Sequence, residues 1–336
     1  MLTTPVGDLA RTLHVTAQTA RLSADLGRLT AELAGGRRSP SGAAGAPVIP
    51  VLADIARGLA LGERFETALA EAAGRGQAMQ AALGRVTAGA EEAAQGLLTA
   101  GAAGGSPALL SAAAGAAEER FSAAVAALNA RFAGVGLFSG DRPEHRALAE
   151  SPAILADLRA VVAGAADADE VAARVRSFFF DPSGGFEAAA LQGSAVAMAA
   201  VRAGPAEEVT FPVTAADPAL RETLAMLALG ALSGDAQPDG AEGQRRLARG
   251  AAEGLIAART GLAGVEARVG FAEARIAEAQ AANGAERFAL QRMQNDLILV
   301  DAAETALALE AARGSLETLF TVTARLAQLS LVNFLR

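Results

Sequence analysis

The chain has 336 residues and a net charge of −8, and it contains no cysteine, lysine, tyrosine or tryptophan. Without cysteine there are no disulfides or thiolate metal sites, and without lysine there is no P-loop or Schiff-base chemistry. The acidic balance argues against nonspecific nucleic-acid binding, which needs a basic surface, and no apolar run reaches the length of a membrane span. Alanine supplies much of the 52% hydrophobic content, which favours closely approaching helices.

The first predicted element is a helix that begins near Thr4 and ends at Gly35-Gly36. One face of this helix carries a leucine stripe made of Leu22, Leu26, Leu29 and Leu33. Residues 39–50 are rich in Gly, Pro and Ser, and they predict a loop.

A second, longer helix follows this loop, and a turn at 101–107 separates it from a third helix at about 108–133. The long helix has an apolar seam in alternating steps of three and four residues, which is typical of a helix that buries one narrow face. Its seam positions are Leu52, Ile55, Leu59, Gly62, Glu66, Leu69, Ala72, Gly76, Met79, Leu83, Val86, Ala90, Ala93 and Leu97.

The helical period stops near Gly134, and the middle of the chain has a different character. Short helices are predicted at 152–164, 168–180 and 217–232. Short extended runs are predicted between these helices, at 186–192, 194–202 and 207–213. This region is therefore predicted to be a mixed α/β insert.

The C-terminal stretch has the clearest heptad pattern in the chain. Its first run predicts an unbroken helix from Leu262 to Ala311, a rod of about 75 Å. A second run follows a one-residue change of phase near Gly314. The first run consists of Leu262, Val265, Val269, Ala272, Ile276, Ala279, Asn283, Glu286, Leu290, Met293, Leu297, Val300, Glu304, Leu307 and Ala311; the second consists of Leu316, Leu319, Val322, Leu326 and Leu329.

These elements predict a mainly α fold: a long antiparallel helical rod built from both chain ends, with a small mixed α/β insert. The predicted divisions are an N-terminal assembly helix and loop (1–46), the N-terminal half of the rod (47–136), the insert (137–239), the C-terminal half of the rod (240–300) and a C-terminal assembly helix (301–336).

Three stretches resemble the bacterial flagellin family, and most of all its hook-associated members at the hook–filament junction. The sequence LSADLGRLTAELAGGRR at 22–38 is similar to the family's N-terminal helix. Asn129, followed by Leu137-Phe138-Ser139-Gly140, resembles the motif that leads from the family's rod into its insert. The closing sequence QLSLVNFLR at 328–336 resembles the family's C-terminus.

This resemblance implies a structural subunit of the bacterial flagellum that is exported without a cleaved signal peptide and has no enzymatic activity or cofactor. The implied partners are further copies of itself in a ring or tube, flagellin, hook and other hook-associated proteins, the flagellar export apparatus and an export chaperone. The implied assembly residues are Leu22, Leu26, Leu29, Leu33, Leu316, Leu319, Leu326, Leu329, Leu331 and Phe334; the implied rod-to-insert motif is Asn129, Leu137, Phe138, Ser139 and Gly140.

Three other hypotheses stay open on the sequence alone. The chain could be a minor filament flagellin, or a soluble helical bundle whose seams are all internal. It could also be an enzyme with a carboxylate site in the insert, around Asp167, Asp169 and Glu170, although these residues also suit a helix N-terminus. The two histidines, His14 and His145, are predicted to be ordinary surface residues, and Phe178–Phe180 is predicted to be core.

Overall fold

A computed structural model describes residues 6–39, 48–102, 106–182, 184–235 and 239–334. It is 76% helical, and its described sheets are two small pairs of strands, which confirms the predicted fold class. The chain divides into two compact units, Arg64–Asn283 (the central unit) and Met1–Glu63 with Gly284–Arg336 (the end unit). The predicted five-part division remains a prediction.

The secondary structure follows the chain as eight α-helices, a π-helical turn and four two-residue strands within the described residues. They are α1 (Val6–Gly35), α2 (Val48–Ala100), α3 (Pro107–Leu128), β1 (Arg131–Phe132), β2 (Val135–Gly136), α4 (Ser151–Val162), α5 (Ala168–Phe180), the π-helical turn (Phe186–Ala190), β3 (Val201–Arg202), β4 (Glu208–Val209), α6 (Pro218–Leu232), α7 (Gly240–Ile298) and α8 (Ala302–Phe334).

In the central unit, α2 and α7 run antiparallel and bury their predicted seams. The amide of Gln80 donates to the backbone oxygen of Glu266 at 2.9 Å, and Arg259 pairs with Glu91 further along, at 3.1 Å. Every predicted seam residue of α2 from Leu69 to Leu97 is buried, as is every one of α7 from Leu262 to Asn283. Glu66 is exposed, since a charged side chain in this position remains in water.

The insert packs on α3 and shares the core of the central unit. Helix α6 lies along α3, and α5 contacts both α4 and α6. The largest fully buried side chains of this region are Phe121 on α3, Phe138, and the pair Phe179 and Phe186, whose ring centroids are 5.6 Å apart. These four phenylalanines therefore belong to the core that α3 shares with the insert.

The predicted helix at 108–133 ends early, at Leu128. The amide of Asn129 donates to Leu148 O at 2.9 Å, and its side-chain oxygen accepts from the Leu148 N–H at 2.8 Å. The chain then turns through Ala133 and Gly134, both with positive φ, as in a type I′ hairpin between β1 and β2. The side-chain bonds of Asn129 and this turn replace the helical continuation.

The extended runs predicted at 186–192, 194–202 and 207–213 are mostly wrong. Phe186–Ala190 is a π-helical turn, and the pairing in these runs consists of β3 with β4 and a single bridge between Leu191 and Leu148. The backbone of 192–194 instead bonds to loops, with Gln192 N–H donating to Ala147 O and Ser194 N–H donating to Ser139 O. Pro212 lacks the N–H that a longer ladder would need.

In the end unit, α1 and α8 pack against each other in antiparallel directions. Gln18 and Leu22 of α1 lie beside the stretch from Ala311 to Val322 of α8. At the other end of the pair, Val300 donates to Gly36 O. Within the same unit, the start of α2 approaches the end of α7, where Gly58 lies against Leu290.

The unbroken helix predicted from Leu262 to Ala311 is wrong at one point, because α7 ends at Ile298 and α8 begins at Ala302. Asp301 starts the new helix, since its carboxylate accepts from the N–H groups of Ala303 and Glu304. An aspartate in this position is a strong N-cap.

This break moves the phase change of the C-terminal seam from Gly314 to Leu299–Asp301. The inward positions of α8 keep one register throughout, with Thr305 and Leu309 buried and later positions half-buried. Leu307, predicted to be inward, is 68% exposed. The side of α8 that faces α1 therefore differs from the predicted one in its first three turns.

Candidate assembly surface

The predicted assembly residues of α1 and α8 lie at the contact between these two helices. Leu22, Leu26, Leu29 and Leu33 are all half-buried, as are Leu316 and Leu319. Leu22 and Leu319 line one groove. None of the six leucines is fully buried, so the pair alone covers only part of its apolar surface.

Large apolar side chains of the pair are also exposed. Leu13 of α1 is 63% exposed, and Phe320 and Val322 of α8 are 54% and 48% exposed. Together with Leu307, these residues give the pair apolar surface on more than one side. We call these four residues the outer apolar set.

A shallow groove of about 590 Å³ runs along the α1/α8 contact. Its lining includes small and polar residues of α8, among them Gly314, Ser315 and Thr318. A Cβ added at Gly314 would meet nothing within 4 Å, so the groove is open at that point. Small residues allow another helix to approach closely.

The remaining predicted assembly residues, Leu326, Leu329, Leu331 and Phe334, have side chains outside the described residues. Their helix continues to Phe334. Two residues that are buried in this unit were not among the predicted assembly residues: Leu309, and Glu32, a carboxylate residue that is only 5% exposed. The seven-residue spacing of Leu309, Leu316 and Thr323 could have indicated the correct face of α8.

The predicted rod-to-insert motif forms a buried turn in the central unit. Leu137, Phe138, Ser139 and Gly140 are all buried, and Asn129 is half-buried. The backbone oxygen of Phe138 accepts from Ala215 N–H at 2.9 Å, and the Ser139 hydroxyl donates to His145 O, also at 2.9 Å. The motif therefore joins α3 to the insert.

Gly140 is required at this turn by its backbone and by its neighbours. Its φ is +65°, and an added Cβ would lie 2.3 Å from Val196 O. Both observations exclude a side chain at this position without rearrangement. The motif is consequently a structural element, and its burial leaves little of it to contact a partner.

The acidic residues that suggested a carboxylate site cap a helix. Asp167, the N-cap of α5, accepts from Glu170 N–H at 2.8 Å, and Glu170 accepts from the N–H of Ala166, the residue before the N-cap, at 2.7 Å. The hydrogen bond from Ala166, together with Arg174, lowers the pKa of Glu170. Asp169 lies 3.6 Å from Arg246 and is largely exposed.

The remaining candidate residues have ordinary environments. His14 and His145 are exposed, and Phe178 and Phe179 are core residues in edge-to-face contact at 5.3 Å. In the described part of the chain, no group of three or more His, Cys, Asp or Glu residues is placed to hold a metal ion. No described helix combines the length and apolar character needed to cross a bilayer.

Neither a scan against protein-family models nor a search of curated proteins gives a match. Among solved structures, the chain is similar to one named "putative flagellar hook-associated protein", from Vibrio parahaemolyticus. The TM-score is 0.54 and the sequence identity is 11%, over 75% of this chain and 98% of that one. At this identity the likeness establishes a shared helical fold.

Proposed function

We propose that the chain is a structural subunit of the bacterial flagellum that joins hook to filament by self-assembly through its paired terminal helices. Its contacts in the flagellum would be further copies of itself in a ring or tube, flagellin on one side, and hook and other hook-associated proteins on the other. It would reach the cell exterior through the flagellar export apparatus with an export chaperone. In this proposal the chain has no catalytic role.

The observation that carries the proposal is the incomplete burial of α1 and α8. Six leucines at their contact are half-buried, and the outer apolar set is about half exposed or more. Burial of a leucine or phenylalanine side chain contributes about 1.5–3 kcal/mol. Further copies of the same helix pair would supply that burial, since the open groove accepts a closely packed helix.

Two further observations support the proposal. The fold likeness is to the "putative flagellar hook-associated protein". The capping of α5 by Asp167 and Glu170 accounts for the acidic cluster on which the enzyme hypothesis depended.

A deletion strain of the source bacterium tests the proposal. Loss of the gene should leave hooks on the cell, abolish filaments and release flagellin into the medium, as seen by electron microscopy and by immunoblotting of the supernatant. Filaments of normal number and length would contradict the junction role. Filaments that persist with altered shape would favour the minor-flagellin hypothesis.

Complementation of this strain with two matched variants locates the function. Phe320→Asp places a charge on the exposed surface of α8 and should fail to restore filaments. Phe271→Asp places the same charge at a 71% exposed phenylalanine of the central unit and should restore them. Equal complementation by both variants would contradict assembly through the terminal helices.

A further inference from the structure

The two chain connections of the end unit are hydrogen-bonded to each other. One connection follows α1 and the other lies between α7 and α8. Arg38 N–H donates to Ile298 O at 2.7 Å, and Val300 N–H donates to Gly36 O at 3.3 Å, on either side of a bridge between Arg37 and Leu299. The place where the first terminal helix ends is therefore the place where the last one begins.

A buried carboxylate holds the first of these connections. Glu32, in the last turn of α1, is 5% exposed; it accepts from Ser39 N–H at 2.8 Å and from Arg28 Nη1 at 3.2 Å. A buried carboxylate is costly unless it is hydrogen-bonded and paired. Glu32 therefore keeps this position only while 36–39 stays folded back against the end of α1.

The second connection leads directly into the N-cap of α8. Val300, which bonds to Gly36, is followed by Asp301, whose carboxylate accepts from Ala303 N–H at 2.9 Å. The Asp301 backbone oxygen also accepts from Thr305 N–H at 2.9 Å, in the first turn of α8. A continuous set of hydrogen bonds thus runs from Glu32 to the first turn of α8.

We propose that Glu32, Gly36–Ser39 and Ile298–Val300 form a clasp that makes α1 and α8 dock and release as one unit. When Glu32 loses Ser39, the connection after α1 is freed and its two backbone bonds to the other connection open. Val300, which precedes the N-cap residue Asp301, is then no longer held in place by Gly36. Release that begins at one end of the chain is passed to the other, even though 264 positions separate Gly36 from Val300.

Hydrogen exchange with mass spectrometry on the full-length chain tests the clasp. Glu32→Ala should accelerate exchange in α8, around Val300–Thr305, by roughly tenfold, together with that in α1, because the Ser39 N–H has lost its acceptor. Exchange in α4, α5 and α6 should be unchanged. The matched control is Asp25→Ala, which removes the exposed second partner of the same Arg28; its exchange in α8 should stay within roughly twofold of wild type.

Glu32→Gln provides a second variant that retains an acceptor for Ser39 and loses the charge pair with Arg28. Its exchange in α8 should lie between that of wild type and that of Glu32→Ala. Acceleration confined to α1 and 36–39 in both Glu32 variants, or an equal effect of Asp25→Ala, would overturn the clasp. These measurements use dilute, unassembled protein, so their outcome is independent of the assembly proposal.

Discussion

The central unit and the end unit are built from the same kinds of heptad helices, yet they bury their seams to different extents. In the central unit, Phe121, Phe138 and Leu83 are fully buried. In the end unit, the described side chains that are buried are few: Glu32, Ile55, Thr305 and Leu309. The large exposed apolar side chains in this unit are Leu13, Ile49, Val51, Leu61, Phe288, Met293, Leu299, Leu307, Phe320 and Val322.

This difference shows that a heptad pattern specifies a helix face but not how much of it one chain can cover. In the central unit, α3 and α6 add two more layers to the α2/α7 pair. In the end unit, α1 and α8 have chiefly each other, and isolated helix pairs with thin contacts are marginal in water. A further copy of the chain would therefore bury more of the exposed apolar surface of the end unit than of the central unit.

The largest effect is expected from Phe121→Ala in the central unit. This side chain is 0% exposed in the main core, and its loss should lower the free energy of unfolding by about 3–5 kcal/mol. Urea unfolding followed by circular dichroism measures this change. A loss below about 1 kcal/mol would show that the central unit is as loosely packed as the end unit.

The next largest effect is expected from Gly140→Ala. Alanine at a φ of +65°, with its Cβ against Val196 O and Ser194 O, should cost about 2 kcal/mol or more. The matched control is Gly84→Ala on α2, where an added Cβ meets nothing within 4 Å and helix propensity improves. Thermal unfolding of both variants checks the prediction, and equal stabilities would contradict a strained turn at Gly140.

Leu309→Ala, in the end unit, should have a smaller effect of about 1–2 kcal/mol, because the neighbouring seam residues are half exposed and can relax. The loss should be confined to the end unit. Limited proteolysis should therefore remove the chain ends faster, while a core of about 45–300 remains. Faster cleavage within α4–α6 would show that the two units unfold together.

The sequence predicts the fold well where a pattern is local. The seam from Leu262 to Ala279 is buried throughout, and the predicted helix at 168–180 has the bounds of α5. Prediction from the sequence fails where a contact with a distant part of the chain determines the end of a helix. The break at Leu299–Asp301 contains no Pro or Gly that would indicate it, and it depends on backbone pairing with 36–38. Helix α3 ends at Leu128 because the side chain of Asn129 bonds to Leu148.

The candidate assembly surface is also predictable only where its residues follow a local heptad pattern. The leucines of α1 and the Leu316 and Leu319 positions of α8 follow their seams. Leu307 does not, because the helix break resets the phase of α8. Glu32 carries no sequence signal, since a glutamate near a helix end is ordinarily solvated.

The smallest effect is expected from the pH dependence of the hydrogen bonds that Glu170 accepts at the start of α5. The hydrogen bond from Ala166 and the pairing with Arg174 lower the pKa of Glu170. The stabilising contribution of this carboxylate is therefore present above the ordinary Glu pKa of about 4.3, and it is lost as the pH falls through the lowered value. Glu170→Gln should be slightly less stable than wild type at neutral pH, and the difference should disappear in acid. A difference that grows in acid would contradict this sign.

The central claim is that the outer faces of α1 and α8 are completed by further copies of the chain. Sedimentation velocity of wild type, Phe320→Asp and Phe271→Asp over a range of concentrations tests it most directly, with thermal unfolding of the same samples. Wild type and Phe271→Asp should associate as concentration rises, whereas Phe320→Asp should stay monomeric with its monomer stability changed by less than about 0.5 kcal/mol. A wild-type chain that remains monomeric, or a Phe320→Asp variant that loses more than about 2 kcal/mol of stability, would contradict the claim and place this face in an internal core.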